Sequence, residues 1–146
     1  SVQAQAHVRQ SKMGLQINLD RVKALVKQAE SGPEYQQIFV PLYNGNIALS
    51  WHRPKYQFAV NTQFVGDRFI QTDNLASLPA YALVNATWRH TGLLNPKGFR
   101  MDVGVQTQNL TQTSYYSMPG RPMPGRSFQF TLWIQTVSKS PTKIVK

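Results

Sequence analysis

The sequence contains no cysteine, which excludes disulfide frameworks, cysteine-ligated metal sites and thiol catalysis. Acidic residues are also scarce, with 6 Asp and Glu against 16 Lys and Arg in a chain of 146 residues. No run approaches the roughly 18 consecutive apolar residues that a membrane-spanning helix needs. A membrane β-strand needs only about ten residues of alternating polarity, so strands remain a route across a membrane.

Motifs of catalysis and metal binding are missing as well. The histidines His7, His52 and His90 lie far apart and have no carboxylates at ligand spacing. There is no glycine-rich phosphate loop, nucleophile elbow or paired-acid motif, and the prolines of segment 119–125 remove amides that a phosphate cradle would use. We therefore expect a protein that is not an enzyme, with no catalytic residue, no metal site and no cofactor.

The net charge of +10 is compatible with nucleic-acid binding, because clustered Lys and Arg bind phosphates. The cations are instead scattered through turns, loops and the C-terminal tail, with no basic block longer than two residues. A surface that faces anionic lipid headgroups accounts for the same distribution. The favoured prediction therefore has no nucleic-acid partner.

What the chain has in abundance is two-residue alternation of apolar and polar side chains, which is typical of strands with one apolar and one polar face. The pattern is clearest in 99–106 and 128–135, which we expect to form a hairpin. In a membrane, its apolar side chains would face lipid: Val103, Val105, Phe128, Phe130, Leu132 and Ile134. A soluble sheet with its apolar face on a core produces the same alternation.

The same pattern predicts six strands of roughly ten residues, over 1–13, 47–52, 56–64, 81–89, 99–106 and 128–135. One segment has helical spacing instead. Asp20 can cap a helix that carries Val22, Leu25, Val26 and Ala29 on one side, and Gly32-Pro33 would stop it. The sequence thus predicts an all-β chain with one short helix, residues 20–30, inside a loop.

The predicted connections alternate in length: 14–45 is long, 53–55 short, 67–79 long, 91–98 short and 112–126 long. Outer-membrane barrels show this alternation, with short periplasmic turns and long external loops, so both chain ends would be periplasmic. Trp51, Tyr56 and Trp88 flank the short turns, where an interfacial aromatic girdle would lie. The alternative is that they are core aromatics of a soluble β-sandwich.

Several short motifs follow one another over residues 40–134. They are Val40-Pro41, Gly66-Asp67-Arg68, Leu78-Pro79-Ala80-Tyr81, Asn109-Leu110, Tyr115-Tyr116 and, most specific of all, Pro124-Gly125-Arg126-Ser127-Phe128. In this order the segment resembles the C-terminal part of TonB-dependent outer-membrane receptors. It departs from them at its end, where a polar, basic tail replaces the usual terminal aromatic residue.

The resemblance implies an antiparallel transmembrane β-barrel segment, residues 1–138, that supplies about six of 22 strands and is followed by a basic tail, 139–146. It also implies a multi-pass protein of the outer membrane of a Gram-negative bacterium. The complete receptor would take up a scarce small-molecule or glycan ligand, such as siderophore-bound iron, haem, cobalamin or a glycan, with energy from the TonB complex. Its partners would be outer-membrane lipids and the rest of the barrel with its plug, supplied by another chain or by sequence outside this one.

Too few strands are present to close a barrel, and unpaired edges in hydrocarbon are costly, so we expect the chain to aggregate when expressed alone. Ligand contacts would lie in two loop clusters. The first is Tyr115, Tyr116, Met118 and Arg121, and the second is Asp67, Arg68, Gln71 and Asp73. For each of these positions the alternative is packing against neighbouring loops. The alternative function is a soluble, basic, all-β module that binds nucleic acid or polysaccharide.

Overall fold

The computed structural model describes residues 2–8, 11–27, 30, 32–94 and 98–136, without the side chains of 2–8. This part of the chain contains strands only: β1 (Val2–Val8), β2 (Ser11–Arg21), β3 (Leu25–Lys27), β4 (Glu34–Gln36), β5 (Tyr43–His52), β6 (Tyr56–Val65), β7 (Arg68–Phe69), β8 (Ser77–Leu78), β9 (Tyr81–Leu94), β10 (Phe99–Gln108), β11 (Tyr116–Met118), β12 (Arg121–Pro122) and β13 (Ser127–Thr136). The prediction of an all-β chain is confirmed. The 139–146 tail and the 95–97 turn residues lie outside the described residues.

Seven long strands form one antiparallel sheet in the order β1-β2-β5-β6-β9-β10-β13. Each pairs with the next long strand along the chain, while the short strands pair locally as β3·β4, β7·β8 and β11·β12. The outer strands β1 and β13 are not paired with each other, so the sheet is open. The predicted antiparallel order is therefore present, in a sheet that does not close on itself.

The register aligns apolar residues with apolar residues across the sheet, because the side-chain period of two is kept along most of each long strand. The exception is a register shift between β9 and β10, where His90 pairs with Val103 and Leu94 with Met101. One cross-strand row on this apolar face is Met13, Trp51, Phe58, Trp88, Val105 and Phe130. The adjacent row on the opposite, polar face is Gly14, Ser50, Ala59, Thr87, Gln106 and Gln129. The sheet is thus amphipathic from β2 to β13.

The apolar face is uncovered. Among the described residues only Val65 and Leu78 are buried hydrophobics, and both lie near the long loops. Phe130, at the outer strand, has 76% of its surface exposed. No helix in the described part is long and apolar enough to span a membrane. The described chain therefore contains no dry interior of its own, and its apolar face needs a covering.

The predicted helix over 20–30 is wrong. Asp20 and Arg21 are the last residues of β2, and Leu25–Lys27 is a strand that pairs with Glu34–Gln36. A helix of about ten residues is marginal unless it packs on something. Here β2 instead forms a ladder with β5 that runs from Lys12–His52 to Arg21–Tyr43. These backbone hydrogen bonds outweigh the helical spacing of a few apolar residues.

The N-terminal region also differs from the prediction of one strand over 1–13 and a loop over 14–45. Two strands, β1 and β2, form a hairpin there. Gly14 lies within β2 rather than ending a strand, and a Cβ at this position would come within 2.8 Å of the Ser50 hydroxyl oxygen. Gly14 therefore marks a close approach between neighbouring strands.

The long connections 22–42, 66–80 and 109–126 meet at one end of the sheet, which we call the long-loop end. The turn 53–55 and the 95–98 connection join strands at the opposite, short-turn end. The predicted alternation of connection lengths is therefore confirmed. The prediction that both chain ends lie on one side requires an even number of strands, whereas the sheet has seven long strands. Among the described residues, β13 ends at Thr136, which pairs with Phe99 at the short-turn end, and β1 begins at Val2, towards the long loops.

Candidate ligand-binding site at the long-loop end

The three long connections are joined to one another by hydrogen bonds. The Phe39 amide donates to the Phe69 carbonyl at 2.8 Å. Asn74 bonds the backbone of Gln36 twice, through its side-chain oxygen at 2.7 Å and its amide nitrogen at 2.9 Å. Arg68 donates from Nη2 to the Tyr116 carbonyl at 2.9 Å. The connections therefore form one continuous loop layer over the end of the sheet.

Arg68 joins the two predicted clusters, which the sequence placed in separate loops. Its side chain is buried, with only 6% of the residue exposed, and its guanidinium carbon lies 5.0 Å from the centroid of the Tyr81 ring. The Tyr81 ring in turn packs on Tyr115 with centroids 4.5 Å apart. Because these loops enclose Arg68, its side chain holds the loops together. At this position the alternative to ligand contact, packing against neighbouring loops, describes the structure.

The predicted acidic residues stabilise turns. Asp67 accepts a hydrogen bond from the Ala80 amide at 2.7 Å, and Asp73 accepts one from the Leu75 amide at 3.1 Å. Both aspartates are exposed. A carboxylate has capacity for several hydrogen bonds, so each can still accept bonds from a ligand at the surface.

The β11–β12 hairpin presents the remaining predicted contacts. Tyr116 pairs with Pro122 and Met118 with Arg121 across the hairpin. Met118 has 51% of its surface exposed, and Tyr116 and Arg121 are exposed as well. An aromatic ring, a thioether and a guanidinium thus lie together on a short, hydrogen-bonded platform at the surface.

Asn109 anchors this platform to the sheet. It is 4% exposed and adopts a positive φ of 50°, which asparagine tolerates better than most residues. Its side chain accepts a bond from the Thr113 amide and donates one to the Thr113 carbonyl, both at 2.8 Å. Its backbone amide donates to the Asn85 side chain at 3.0 Å. The chain is thereby turned from β10 into the loop that carries Tyr115 and Tyr116.

A hollow on the polar face, next to the loop layer, was not singled out from the sequence. It has a volume of about 510 Å³, and amide and carboxylate side chains line much of it: Asp20, Asn44, Asn46, Asn61 and Gln63. The available signal was the run of amides at alternate positions in 44–46 and 61–63. Such a surface offers hydrogen-bond donors and acceptors to a polar, uncharged solute.

A second groove, of about 470 Å³, lies on the polar face towards the short-turn end. The Arg89 guanidinium carbon is 4.4 Å from the centroid of the Trp133 ring there, and its Nη2 is 2.8 Å from Asp102 Oδ2. Asp102 is 2% exposed and also accepts bonds from Arg100 Nε at 3.1 Å and the Gly92 amide at 2.8 Å. These contacts connect β9, β10 and β13.

In the described part no three His, Asp or Glu residues are grouped to hold a metal.

The six residues predicted to face lipid lie on one face of β10 and β13. Val103 is opposite Leu132, Val105 is opposite Phe130, and Ile134 is opposite Met101. Phe128, Phe130, Leu132 and Ile134 are all exposed. They form one apolar strip along the outer edge of the sheet.

Aromatic residues occupy the short-turn end of the apolar face. Tyr56 stacks on His90 with ring centroids 4.6 Å apart, and Trp88 lies 6.3 Å from the same imidazole. Phe58 is directly opposite Trp88 across the strands. His90 is therefore part of this aromatic group, while His52 is exposed on the polar face beside the turn.

Comparison with known proteins adds no relative to this description. No model of a known protein family matches the chain, and no curated protein matches it significantly.

Proposed function

We propose that this chain is the C-terminal β-barrel segment of a TonB-dependent outer-membrane transporter, in which it forms part of the wall and external loops. In this role it takes part in uptake of a scarce ligand and performs no catalysis. Outer-membrane lipid covers its apolar face, and its two edge strands pair with the remainder of the barrel.

The uncovered apolar face carries the proposal. A soluble sheet buries its apolar face on a second layer, and here such a layer is absent from the described residues. Without a covering layer, complete rows of apolar side chains would contact water. Membrane lipid can cover them in place of a protein core. Each inner strand is hydrogen-bonded to a neighbour on both sides, as a membrane requires.

The arrangement of connections supports the same proposal. Short turns lie at one end and three long, mutually bonded loops at the other, which is typical of outer-membrane barrels. Ligand would then meet the exposed platform of Tyr116, Met118 and Arg121 and the amide-lined hollow on the polar face. Both lie at the long-loop end, which faces the outside in this orientation.

Single cysteines test the proposal, because the chain has no cysteine of its own. Neighbouring positions on opposite faces form matched pairs: V105C with Q106C on β10, and F130C with Q129C on β13. In outer-membrane fractions a small, charged thiol reagent should label Q106C and Q129C and leave V105C and F130C unlabelled. In denaturant all four should react, which controls for intrinsic reactivity.

A different labelling pattern would contradict the proposal. Phe130 is more exposed than most residues in the isolated sheet, so a soluble protein should label F130C as fast as Q129C. Recovery of the chain as a monodisperse, detergent-free monomer would count against it equally.

One observation favours the soluble binding module as a second candidate. The short-turn groove combines amide side chains, Arg89 and the indole of Trp133, groups that bind polysaccharides through hydrogen bonds and ring stacking. However, Arg89 already covers the Trp133 ring. The need for detergent during extraction separates the two candidates.

A further inference from the structure

The two ends of the sheet differ in charge. Five of the chain's 6 acidic residues lie at or beyond the long-loop end: Asp20, Glu30, Glu34, Asp67 and Asp73. Cations accompany them there: Arg21, Lys23, Lys27, Arg68, Arg121 and Arg126. Charge at this end is therefore nearly balanced.

The short-turn end is basic. Its described cations are Lys12, Arg53, Lys55, Arg89 and Arg100. Its one described acid is Asp102, whose carboxylate is already bonded to both Arg89 and Arg100. Lys12, Arg53 and Lys55 therefore have no acidic partner among the described residues.

Arg53 and Lys55 are held at the rim of the apolar face. The Arg53 guanidinium carbon lies 5.1 Å from the centroid of the Trp51 ring, which belongs to the apolar row beside it. The turn is fixed by the Thr91 amide, which donates to the Lys55 carbonyl at 2.8 Å, and by the Thr91 hydroxyl, which donates to the Pro54 carbonyl at 3.1 Å. Both cations are exposed.

We infer that this basic rim binds the headgroups of anionic phospholipids in the leaflet that covers the short-turn end. The inference rests on the proposed function, because the apolar face must lie in lipid. A phospholipid places its phosphate just outside its acyl chains, so one molecule can contact Arg53 or Lys55 with its headgroup and Trp51 and Phe58 with its chains. Amphipathic rings and long cationic side chains favour this boundary.

Charge and apolar surface together favour lipid over nucleic acid as the occupant. A nucleic acid bound to Arg53 and Lys55 would leave the adjoining Met13, Trp51 and Phe58 in water. A lipid covers these side chains with its acyl chains.

Quenching of tryptophan fluorescence by brominated lipids tests the inference. In a Trp133→Phe background only Trp51 and Trp88 remain, both in the apolar row near the rim. The full chain is refolded in detergent and then incorporated into phosphatidylcholine bilayers that contain brominated phosphatidylglycerol or, separately, brominated phosphatidylcholine. The ratio of the two quenching constants measures selectivity for the anionic headgroup.

We expect the anionic lipid to be preferred by roughly fivefold, the effect of one cation near a charged headgroup. The double variant R53Q/K55Q should bring the ratio close to one, and high salt should reduce it. The control K23Q/R121Q removes the same charge from the opposite end and should leave the ratio unchanged.

The other outcomes overturn the inference. Equal quenching by both lipids would leave the transmembrane proposal standing and remove the headgroup site. Absence of quenching by either lipid would show that the apolar face is not in lipid and would overturn both. Equal loss of selectivity in the control would assign the effect to net charge rather than to the rim. A labelled single-stranded oligonucleotide that binds the parent chain and not R53Q/K55Q, without lipid selectivity, would make nucleic acid the partner.

Discussion

Substitution of Asn109 by alanine should loosen the loop that carries the candidate ligand platform. The change removes two side-chain bonds to Thr113, each 2.8 Å long and worth about 1 kcal/mol. It also places alanine, which tolerates a positive φ less well than asparagine does, at a φ of 50°, and this costs about 1 kcal/mol more. The free energy of local opening should therefore fall by about 3 kcal/mol, which corresponds to roughly a hundredfold.

Hydrogen–deuterium exchange of the loop segment 109–126 measures this opening directly. The amides of Gln112 and Thr113, which bond to Asn109, should exchange roughly a hundred times faster in Asn109→Ala than in the parent protein. Exchange in the strand amides of β5 and β6 should not change, because Asn109 does not contact them.

Two further substitutions separate the contribution of the hydrogen bonds from that of the backbone conformation. Asn109→Gly removes the same bonds but accepts the positive φ, so acceleration should be smaller, roughly thirtyfold. Asn109→Asp keeps an acceptor for the Thr113 amide and should lose about 1 kcal/mol. Equal exchange in the parent and alanine variants would refute the reasoning, and equal exchange in the alanine and glycine variants would refute its backbone term.

Two other substitutions test the contacts that only the folded chain creates. Arg68→Gln removes the hydrogen bond to the Tyr116 carbonyl and should lower the free energy of local opening by about 2 kcal/mol. Hydrogen exchange in the β11–β12 hairpin should then be at least tenfold faster. The exposed control Arg121→Gln should leave the exchange rate unchanged. Gly104→Ala would bring a Cβ within 2.8 Å of the Trp133 ring and should lower stability by about 1–3 kcal/mol, measured as the urea midpoint of chain refolded in detergent. Trp133→Leu should relieve that loss in the double variant, and no relief would contradict the steric explanation.

Local alternation was sufficient to predict most of the sheet. In β6, β10 and β13 the apolar and polar residues alternate along most of the strand, and these segments are strands close to their predicted bounds. Alternation is a property of neighbouring residues, so it is visible before any partner strand is known. The lengths of the later connections followed for the same reason.

The local pattern predicted the wrong secondary structure where pairing with another strand determined the conformation. The spacing of Val22, Leu25 and Val26 favoured a helix, and Gly14 favoured the end of a strand. In the fold, Gly14 allows β2 to approach Ser50, and the ladder with β5 continues to Arg21. This pairing joins residues 22 positions apart at Arg21–Tyr43 and 40 positions apart at Lys12–His52, which a local pattern cannot report.

The candidate site shows the same division. The sequence by itself determined which residues could bind a ligand, because Tyr115, Tyr116 and Arg121 are the kinds of side chain that such loops present. Only the tertiary structure decided their roles: it buried Arg68 between the loops as a support and left Tyr116, Met118 and Arg121 exposed. Burial and hydrogen bonding depend on contacts between distant loops, and those contacts exist only once the strands have brought the loops to one end of the sheet.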